Sequence, residues 1–560
     1  MQESCYWLLS QNWSFCFVSA GGYPNIKIFG YAEFLASLAI LAVIFTLVDI
    51  RYKFRVAVAP LPIIPIAFIV IAFVGFGTLI SDIWVAEGWW VIKENPITQA
   101  LWQGILGALF LLTFIVWIWY AFIFPPKFGR LNAQRYLKFV YRVILKGNPS
   151  ELNVIADELS RSAKNIIEHS YSISERSQLT SNEVNAKVAA YELLLLIADK
   201  KLCRSIVGSC SVTALSFLNE VNVQSKYDLP IGDFVVNLST EALCDKDSLL
   251  YHEAQGSYSG LVGYIKPLSY ALYGSYDLIF CLGRRHRSPL DVDYRVFREW
   301  DAGNWRAYSK ATIIAMKSYL AATNGNVFSS EMFRAIENIK NSFSDFYKLD
   351  GLEEYYYSDQ YQKFDIAIEF LEELIKAVDE QSTRVHCSLK EIKGSRNQDV
   401  LDLAAKLMMD LMIAALKVKG PQWTAWSIHY GSLWSKFFIL TEDSKAGKVF
   451  RYKVRRLIYD EIKSISTTPN YLNVRILVYL LNVIGLSDKK NSLDKNYRAL
   501  LLAVLSWVQK NFRNLYIGYP DVVNSSMLGS ISFDAKNFQI IKTYRPGIGK
   551  TIPATETLQV

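Results

Sequence analysis

The 560-residue sequence has little histidine and no clustered cysteine, which argues against a metal centre. Its five histidines form no His-Glu-x-x-His or His-x-His pattern, so a zinc enzyme is not expected. The seven cysteines include no Cys-x-x-Cys pair and are widely spaced, as is typical of reduced thiols in a cytoplasm. Cys5 and Cys16 are the exception by position, because an N-terminus outside the cell would allow them to form a disulfide.

Nucleotide and nucleophile motifs are also missing. No Gly-x-Ser-x-Gly elbow occurs, and no glycine-rich dinucleotide loop opens a helix. Residues 547–551 (GIGKT) imitate a phosphate loop, but Tyr544 stands where the full motif requires glycine, and Pro553 interrupts any following helix. The sequence therefore predicts no cofactor and favours a protein that is not an enzyme.

Charge is scarce in the first quarter of the chain, where residues 1–126 hold five Lys/Arg and six Asp/Glu. Three apolar runs lie there, at 28–48, 58–80 and 100–124, and each has the roughly 20 residues that a bilayer-spanning helix needs. Glu33 and Asp49 sit near the ends of the first run, so no polar route crosses the block. The pattern predicts an anchor, while a pore of oligomerised helices stays an alternative because hydrophobic gates need no charge.

The distribution of cations predicts the orientation of this block. Arg51, Lys53 and Arg55 follow the first run, whereas the loop at 81–99 is acidic and rich in tryptophan. A basic collar follows the third run and consists of Lys127, Arg130, Arg135, Lys138, Arg142 and Lys146. The positive-inside rule then predicts that the N-terminus of the three-span block is outside and that its C-terminus is in the cytoplasm. The membrane is expected to be a bacterial inner membrane. Residues 1–27, aromatic and polar, form an extracytoplasmic arm.

The collar itself, at 127–148, has helical periodicity, with cations on one face and apolar residues on the other. One interpretation is a juxtamembrane helix that lies on an anionic inner leaflet with its apolar side in lipid. The other is that it forms the first helix of a cytoplasmic core. The sequence leaves both open.

Residues 149–560 are predicted to form a large, mainly α-helical cytoplasmic region. Apolar residues recur at three- and four-residue steps through 149–222 and 301–515, which indicates two helical subdomains. Between them, 223–300 is rich in Gly, Tyr and Pro and contains the apolar runs 234–236 and 278–281. It is predicted to be an irregular insert, either loop-rich or with a few short strands. Residues 516–560 lose the pattern and are predicted to be a mobile C-terminal tail.

The densest polar cluster in this region is Arg284, Arg285, His286 and Arg287, followed by Asp291 and Asp293. Cations beside two carboxylates could contact a phosphate-bearing ligand or support metal-assisted hydrolysis. If the segment is a strand, the two aspartates lie on one face. The alternative is a solvated loop whose charges pair with one another.

A second basic segment, 448–460 (KVFRYKVRRLIYD), is predicted to be an amphipathic helix with Phe450, Val454, Leu457 and Ile458 on its apolar side. Its basic surface consists of Lys448, Arg451, Arg455 and Arg456. Interleaved tyrosines would suit nucleic acid, whereas a face turned to solvent or to an acidic partner needs no ligand.

These observations favour a membrane-anchored cytoplasmic binding or sensing protein, either a membrane-acting effector or a component of bacterial antiviral defence. The expected partners are the lipid bilayer and another protein or a second copy of the chain, with nucleic acid less well supported. A membrane-tethered, nuclease-like enzyme on phosphate-containing substrates and an oligomeric pore are the alternatives. The antiviral role rests on architecture alone.

Overall fold

The computed structural model describes residues 6–10, 13–19, 27–47, 49–92, 98–172, 184–255, 258–259, 263–264, 267–285, 287–323, 329–381, 399–439, 444–487, 495–544 and 554–560. Most of these residues are α-helical, and the strands among them form small antiparallel sheets. The chain divides into two compact units, Met1–Phe234 and Val235–Val560. The prediction of a mainly α-helical protein is confirmed.

The first unit begins with apolar helices and continues with polar ones. Its helices are α1 Tyr31–Leu47, α2 Ile50–Ala57, α3 Ile63–Ala86, α4 Gln99–Ile118, α5 Ala133–Lys146, α6 Pro149–His169, α7 Val184–Leu196, α8 Lys200–Ser209 and α9 Ser211–Gln224. A π-helical turn, Trp119–Ile123, extends α4.

Two of the described helices, α3 and α4 with its π-turn, are long and apolar enough to cross a membrane. Helix α1 has 17 residues and falls short of that length. Helices α8 and α9 would count as a third span only if joined, yet they bend by 106°. Of the three predicted spans, two therefore correspond to described helices that are long and apolar enough to cross a membrane.

The second predicted run, 58–80, starts later than expected, because α3 begins at Ile63 and ends at Ala86. Pro60 and Pro62 explain the shift, since proline lacks the N–H of a regular turn and constrains the residue before it. Val58 and Ala59 are nevertheless fully buried. The apolar signal at the start of this run therefore comes from core residues of a turn.

A polar contact fixes α1 against α3 and α4 at one end of the apolar helices. The Asp82 carboxylate pairs with the Lys27 ammonium at 3.1 Å and accepts a 3.0 Å hydrogen bond from the Tyr31 N–H. Gln103, which is fully buried, accepts a 3.1 Å hydrogen bond from the Ile28 N–H. The same end carries an antiparallel sheet. In it, β1 Tyr6–Ser10 pairs with β2 Trp13–Ser19, and β2 pairs with β3 Trp90–Ile92.

Helix α5 decides between the two interpretations of the basic collar. Its apolar side is covered by protein, since Tyr136 and Val140 are fully buried and α5 contacts α6 and α7. The Phe54 ring of α2 packs edge-on against the Tyr136 ring, with centroids 5.1 Å apart. This face is therefore not available to lipid, and α5 is the first helix of the polar core.

The second unit contains most of the remaining helices. They are α10 Gly232–Cys244, in which the division between the units falls, α11 Leu249–Gln255, α12 Pro267–Tyr273, α13 Tyr276–Gly283, α14 Tyr294–Phe297, α15 Ala302–Thr323, α16 Ser330–Asn341, α17 Asp359–Glu380, α18 Val400–Ala415, α19 Gln422–Trp426, α20 Ser435–Phe438, α21 Lys445–Ser464, α22 Tyr471–Ile484, α23 Lys495–Gly518 and α24 Pro520–Ser526. A 3-10 turn, Phe346–Leu349, precedes α17, and a π-helical segment, Ser427–Trp434, joins α19 to α20.

The prediction of a loop-rich or partly stranded insert is wrong for the apolar runs 234–236 and 278–281, because both segments are helical, in α10 and α13. Phe234, Val235, Leu278 and Ile279 are all buried, so adjacent positions face protein on both sides. A short continuous apolar run has no periodicity that separates a buried helix from a strand. Within the described part of 223–300, the strands are the short hairpin β4 Tyr258–Ser259 and β5 Gly263–Tyr264.

The prediction of a mobile tail at 516–560 is also wrong for the residues that the structure describes. Helix α24 is followed by an antiparallel sheet of β6 Ile531–Asp534, β7 Gln539–Thr543 and β8 Thr555–Gln559. Strand β8 is the polar segment TETLQ, whose partner β7 supplies its hydrogen bonds. Such pairing depends on a neighbouring strand and leaves little local signal in the sequence.

Candidate functional site

A heavily hydrogen-bonded polar site of the first unit lies where the apolar helices meet the polar ones. We call it the joint, and it comprises Arg51 and Arg55 of α2, Ala121 of the π-turn, Asn132, Arg135 of α5, and Asp157 and Glu158 of α6. Helix α2 reaches this position because Phe54 and Val56 are apolar and buried. The intervening Arg55 is buried with them, and only 6% of its surface is exposed.

Arg55 connects two elements that lie far from it in sequence. Its Nε and Nη2 donate to Oε1 of Glu158 at 3.1 and 2.6 Å, and its Nη1 donates to the Ala121 carbonyl at 3.0 Å. Glu158 is 3% exposed. A planar guanidinium suits such a site, because its donors serve a carboxylate and a carbonyl at the same time.

The sequence explains why the Ala121 carbonyl needs an outside donor. In a helix this carbonyl would accept from the N–H four or five residues later. Those positions are Pro125 and Pro126, which have no N–H. An unpaired buried carbonyl is costly, and Arg55 removes that cost.

Asn132 supplies a hydrogen-bond donor to another carbonyl without a backbone partner, just before α3. The Val58 carbonyl has Pro62 four residues later, so no backbone donor is available there. The Asn132 amide donates to it at 2.6 Å and to the Lys127 carbonyl at 2.9 Å. Arg135 adds a 2.6 Å hydrogen bond to the Pro60 carbonyl.

Arg51 forms the more exposed part of the joint. It pairs with Asp157 at 3.0 Å and lies 3.8 Å from Glu158, with a third of its side chain exposed. Exposed pairs contribute up to about 1 kcal/mol, whereas a broken buried pair leaves an uncompensated charge. The joint is therefore a structural connection centred on Arg55 and Glu158, and nothing in its geometry supplies a nucleophile or a general base.

One of the predicted collar cations, Arg135, belongs to this joint. Arg135 is engaged as described, while the other five are exposed: Lys127, Arg130, Lys138, Arg142 and Lys146. Their predicted role at a lipid interface stays a prediction. Sequence reasoning identified Arg55 only as a topology cation and missed Glu158, although its position three residues after the buried Ile155 was a signal.

The predicted cluster at 284–293 does not converge on a ligand. Asp291 accepts two hydrogen bonds from Arg334, at 3.1 and 3.3 Å, and a third from the Ser288 N–H at 2.9 Å. Asp293 caps α14 through a 3.0 Å hydrogen bond from the Arg295 N–H. The two aspartates lie at a turn and at a helix cap, so the segment is not a strand and the condition for their sharing one face is not met.

The cations of that cluster are dispersed as well. Arg284 lies over the Phe280 ring, 4.6 Å from its centroid. Arg285 and Arg287 are exposed and have interactions of their own. His286 lies outside the described residues, as do the phosphate-loop imitation at 547–551 and Cys5, whose pairing with Cys16 the sequence left open. Among the described residues, no group of three or more His, Cys, Asp or Glu could hold a metal ion.

The amphipathic helix predicted at 448–460 is confirmed as part of α21. Phe450, Val454 and Ile458 are buried. Of its predicted basic surface, Lys448 and Arg456 are exposed, and Arg451 and Arg455 are half-buried. Arg456 pairs with Asp460 of its own helix at 3.6 Å, which is typical of a solvated face.

Lys453, which sequence reasoning passed over, lies on the buried side of α21. It is 3% exposed, and its ammonium contacts Asp399 and Asp402 at 2.6 Å each. The two aspartates form a capping box at the start of α18. Burial raises the pKa of Asp399, and the ammonium of Lys453 opposes that shift.

His429 lies in the π-helical segment and is fully buried, with its Nε2 2.9 Å from the Ala415 carbonyl. Burial lowers its pKa from 6.5 to about 4. Below pH 6.5 the unfolded chain binds a proton at this imidazole that the folded chain does not bind. We therefore expect the folded state to lose about 3 kcal/mol between pH 6.5 and pH 4.

The thermal unfolding midpoint of the detergent-solubilised protein, recorded from pH 7 to pH 4, measures this loss. The variant His429→Gln should show a flatter pH profile, because glutamine does not titrate. Equal slopes for the two proteins would refute the assignment.

No known protein family matches the chain, and neither a curated protein nor a solved structure matches it.

Proposed function

We propose that this chain is an integral membrane binding protein, in which the joint transmits changes in the polar helices to the apolar ones. The single observation that carries the proposal is the buried Arg55–Glu158 pair with its hydrogen bond to the Ala121 carbonyl. Through it, a shift of α6 reaches α2 and the end of α4 by direct contact. Contiguous polar networks of this kind are a physical means of coupling.

In this proposal α1, α3 and α4 form three spans in a bacterial inner membrane. The N-terminus lies outside, and the C-terminus lies in the cytoplasm. Two observations support the arrangement. Strand β3, in the loop after α3, pairs with β2 of the N-terminal arm, so both belong on one side. Arg51, Lys53 and the collar cations follow the opposite ends of the apolar helices, as the positive-inside rule requires.

A pair of cysteine variants tests the orientation. Glu87→Cys and Lys127→Cys introduce thiols at two exposed positions, one after α3 and one after α4. In intact cells, a membrane-impermeant maleimide should label residue 87 and leave residue 127 unlabelled until the cells are permeabilised. Mass spectrometry of the labelled peptides separates these sites from the native cysteines.

The reverse pattern would overturn the orientation, and equal labelling of both sites in intact cells would overturn the spans. The protein should also stay with the membrane fraction after an alkaline carbonate wash. The narrower predictions, a membrane-acting effector or a component of antiviral defence, stay predictions. The same holds for the nuclease-like and pore alternatives, since no described contact favours one of them.

A further inference from the structure

The second unit has a cavity of about 390 Å³ that the predicted sites do not include. It is formed by α14, the start of α15, the end of α16 with the turn that follows, and α17. Its volume lies in the lower part of the range for small-molecule sites, about 300–1,000 Å³. The cavity begins one residue after Asp293, at Tyr294, so the predicted polar cluster is its neighbour in sequence.

One wall of the cavity is aromatic. Phe297 and Trp305 line it, with rings stacked at a centroid distance of 5.2 Å. The rings of Trp300 and Tyr308 pack against both of them. Trp305 is only 2% exposed, and its indole N–H makes no hydrogen bond with any residue that the structure describes. A donor without a protein partner in a cavity wall is available to a ligand.

The rim of the cavity is polar and carries more positive than negative charge. Arg298 is exposed, with its guanidinium 5.5 Å from the centroid of the Tyr294 ring. No described carboxylate lies within ion-pair distance of Arg298. Lys363 is paired with Asp359 at 2.6 Å, and Asp345 with Lys348 at 3.4 Å. Arg298 is thus the cation of the rim that is left for an anionic ligand.

Two further rim side chains add hydrogen-bonding capacity. Asn341, at the end of α16, and Ser344 both line the cavity. Neither side chain is hydrogen-bonded to a residue in the described part of the chain. Together with the Trp305 N–H, they supply donors and acceptors that can read the edge of a planar polar ring.

We propose that this cavity binds a nucleoside monophosphate, with the base against Phe297 and Trp305 and the phosphate at Arg298. The two rings form an apolar wall against which a planar base can pack, and a guanidinium is the preferred partner of a phosphate. The volume is that of a small-molecule site. The inference deepens the proposed function by naming a ligand for the helical body, and its test does not depend on membrane topology.

Isothermal titration calorimetry of the detergent-solubilised full chain tests the site with AMP, GMP, adenosine and inorganic phosphate. We expect AMP or GMP to bind more tightly than adenosine or phosphate alone. Arg298→Ala should weaken that binding about 10- to 100-fold, the cost of losing a hydrogen bond to a charged group. Trp305→Phe keeps the ring but removes the N–H, and should weaken it about 2- to 10-fold.

Arg295→Ala is the matched control. Arg295 lies on α14, the helix that ends just before Arg298, and over the same Tyr294 ring, at 5.9 Å, but it does not line the cavity. Its replacement should leave the affinity unchanged. The proposal is overturned if neither nucleotide binds at millimolar concentration, if phosphate binds as tightly as AMP and GMP, or if Arg295→Ala weakens binding as much as Arg298→Ala. Failure of these tests leaves the labelling pattern of residues 87 and 127 unaffected, so the two proposals fail separately.

Discussion

Replacing Arg55 by alanine should destabilise the first unit by about 3–5 kcal/mol, because it leaves the Glu158 carboxylate buried without a cation. The same change leaves the Ala121 carbonyl without a donor, since the prolines that follow cannot supply an N–H. Hydrogen exchange of the α2 and α6 amides measures the effect where it arises. We expect their protection to fall while that of the second unit is unchanged.

Two further variants show whether the lost stability comes from burial of the ion pair and from the unpaired charge. Arg51→Ala removes a cation from the same helix, but its pair with Asp157 is partly exposed, so the cost should stay below about 1 kcal/mol. The double variant Arg55→Met with Glu158→Leu should recover most of the loss, because no unpaired charge remains. If Arg55→Ala costs no more stability than Arg51→Ala, the joint does not hold the apolar helices to the polar helices of the first unit.

Replacing Lys453 by methionine should destabilise the second unit by a similar amount, about 3–5 kcal/mol at neutral pH. Methionine keeps the shape of the buried chain, but Asp399 and Asp402 then face each other without their shared cation. Burial already raises the pKa of Asp399, and the variant loses the ammonium that opposes the shift. Its folded state should therefore take up a proton more readily than its unfolded state, and the deficit should shrink as the pH falls.

Thermal unfolding of the variant and the parent protein at pH 7 and pH 5 measures both expectations. Arg456→Met is the matched control, since Arg456 lies one turn further along α21 and its pair with Asp460 is half-exposed. Its cost should stay within about 1 kcal/mol at either pH. A deficit of Lys453→Met that is the same at both pH values would show that lost packing, and not unpaired charge, causes it.

The helical class and the apolar block could be predicted because their signals are local. Hydrophobic periodicity identified α21, and long apolar runs identified α3 and α4. The start of α3 was misplaced by five residues, because Val58 and Ala59 are apolar for a different reason, as core residues of a turn. The ends of a helix depend on capping residues and prolines, and composition alone does not locate those ends.

The candidate sites were harder to predict, since charge density does not reveal which groups meet. The cluster at 284–293 looked functional because its charges are adjacent in sequence. In the fold, Asp291 is engaged by Arg334, which lies 43 residues away, and Asp293 serves as a helix cap. The wall and rim of the cavity beside it come from four separate elements, so no short sequence motif could predict it.

The sequence by itself determined that the chain is mainly helical, that its first quarter is apolar with cations at the ends of the runs, and that motifs for metal or nucleotide chemistry are missing. Each of these follows from residue type and spacing. Tertiary structure alone decided that the collar helix packs on protein, that Arg55 and Lys453 are buried, and that Trp305 and Arg298 border one cavity. Those outcomes depend on side chains brought together from distant positions, where burial and the lack of a backbone donor set the energy of each contact.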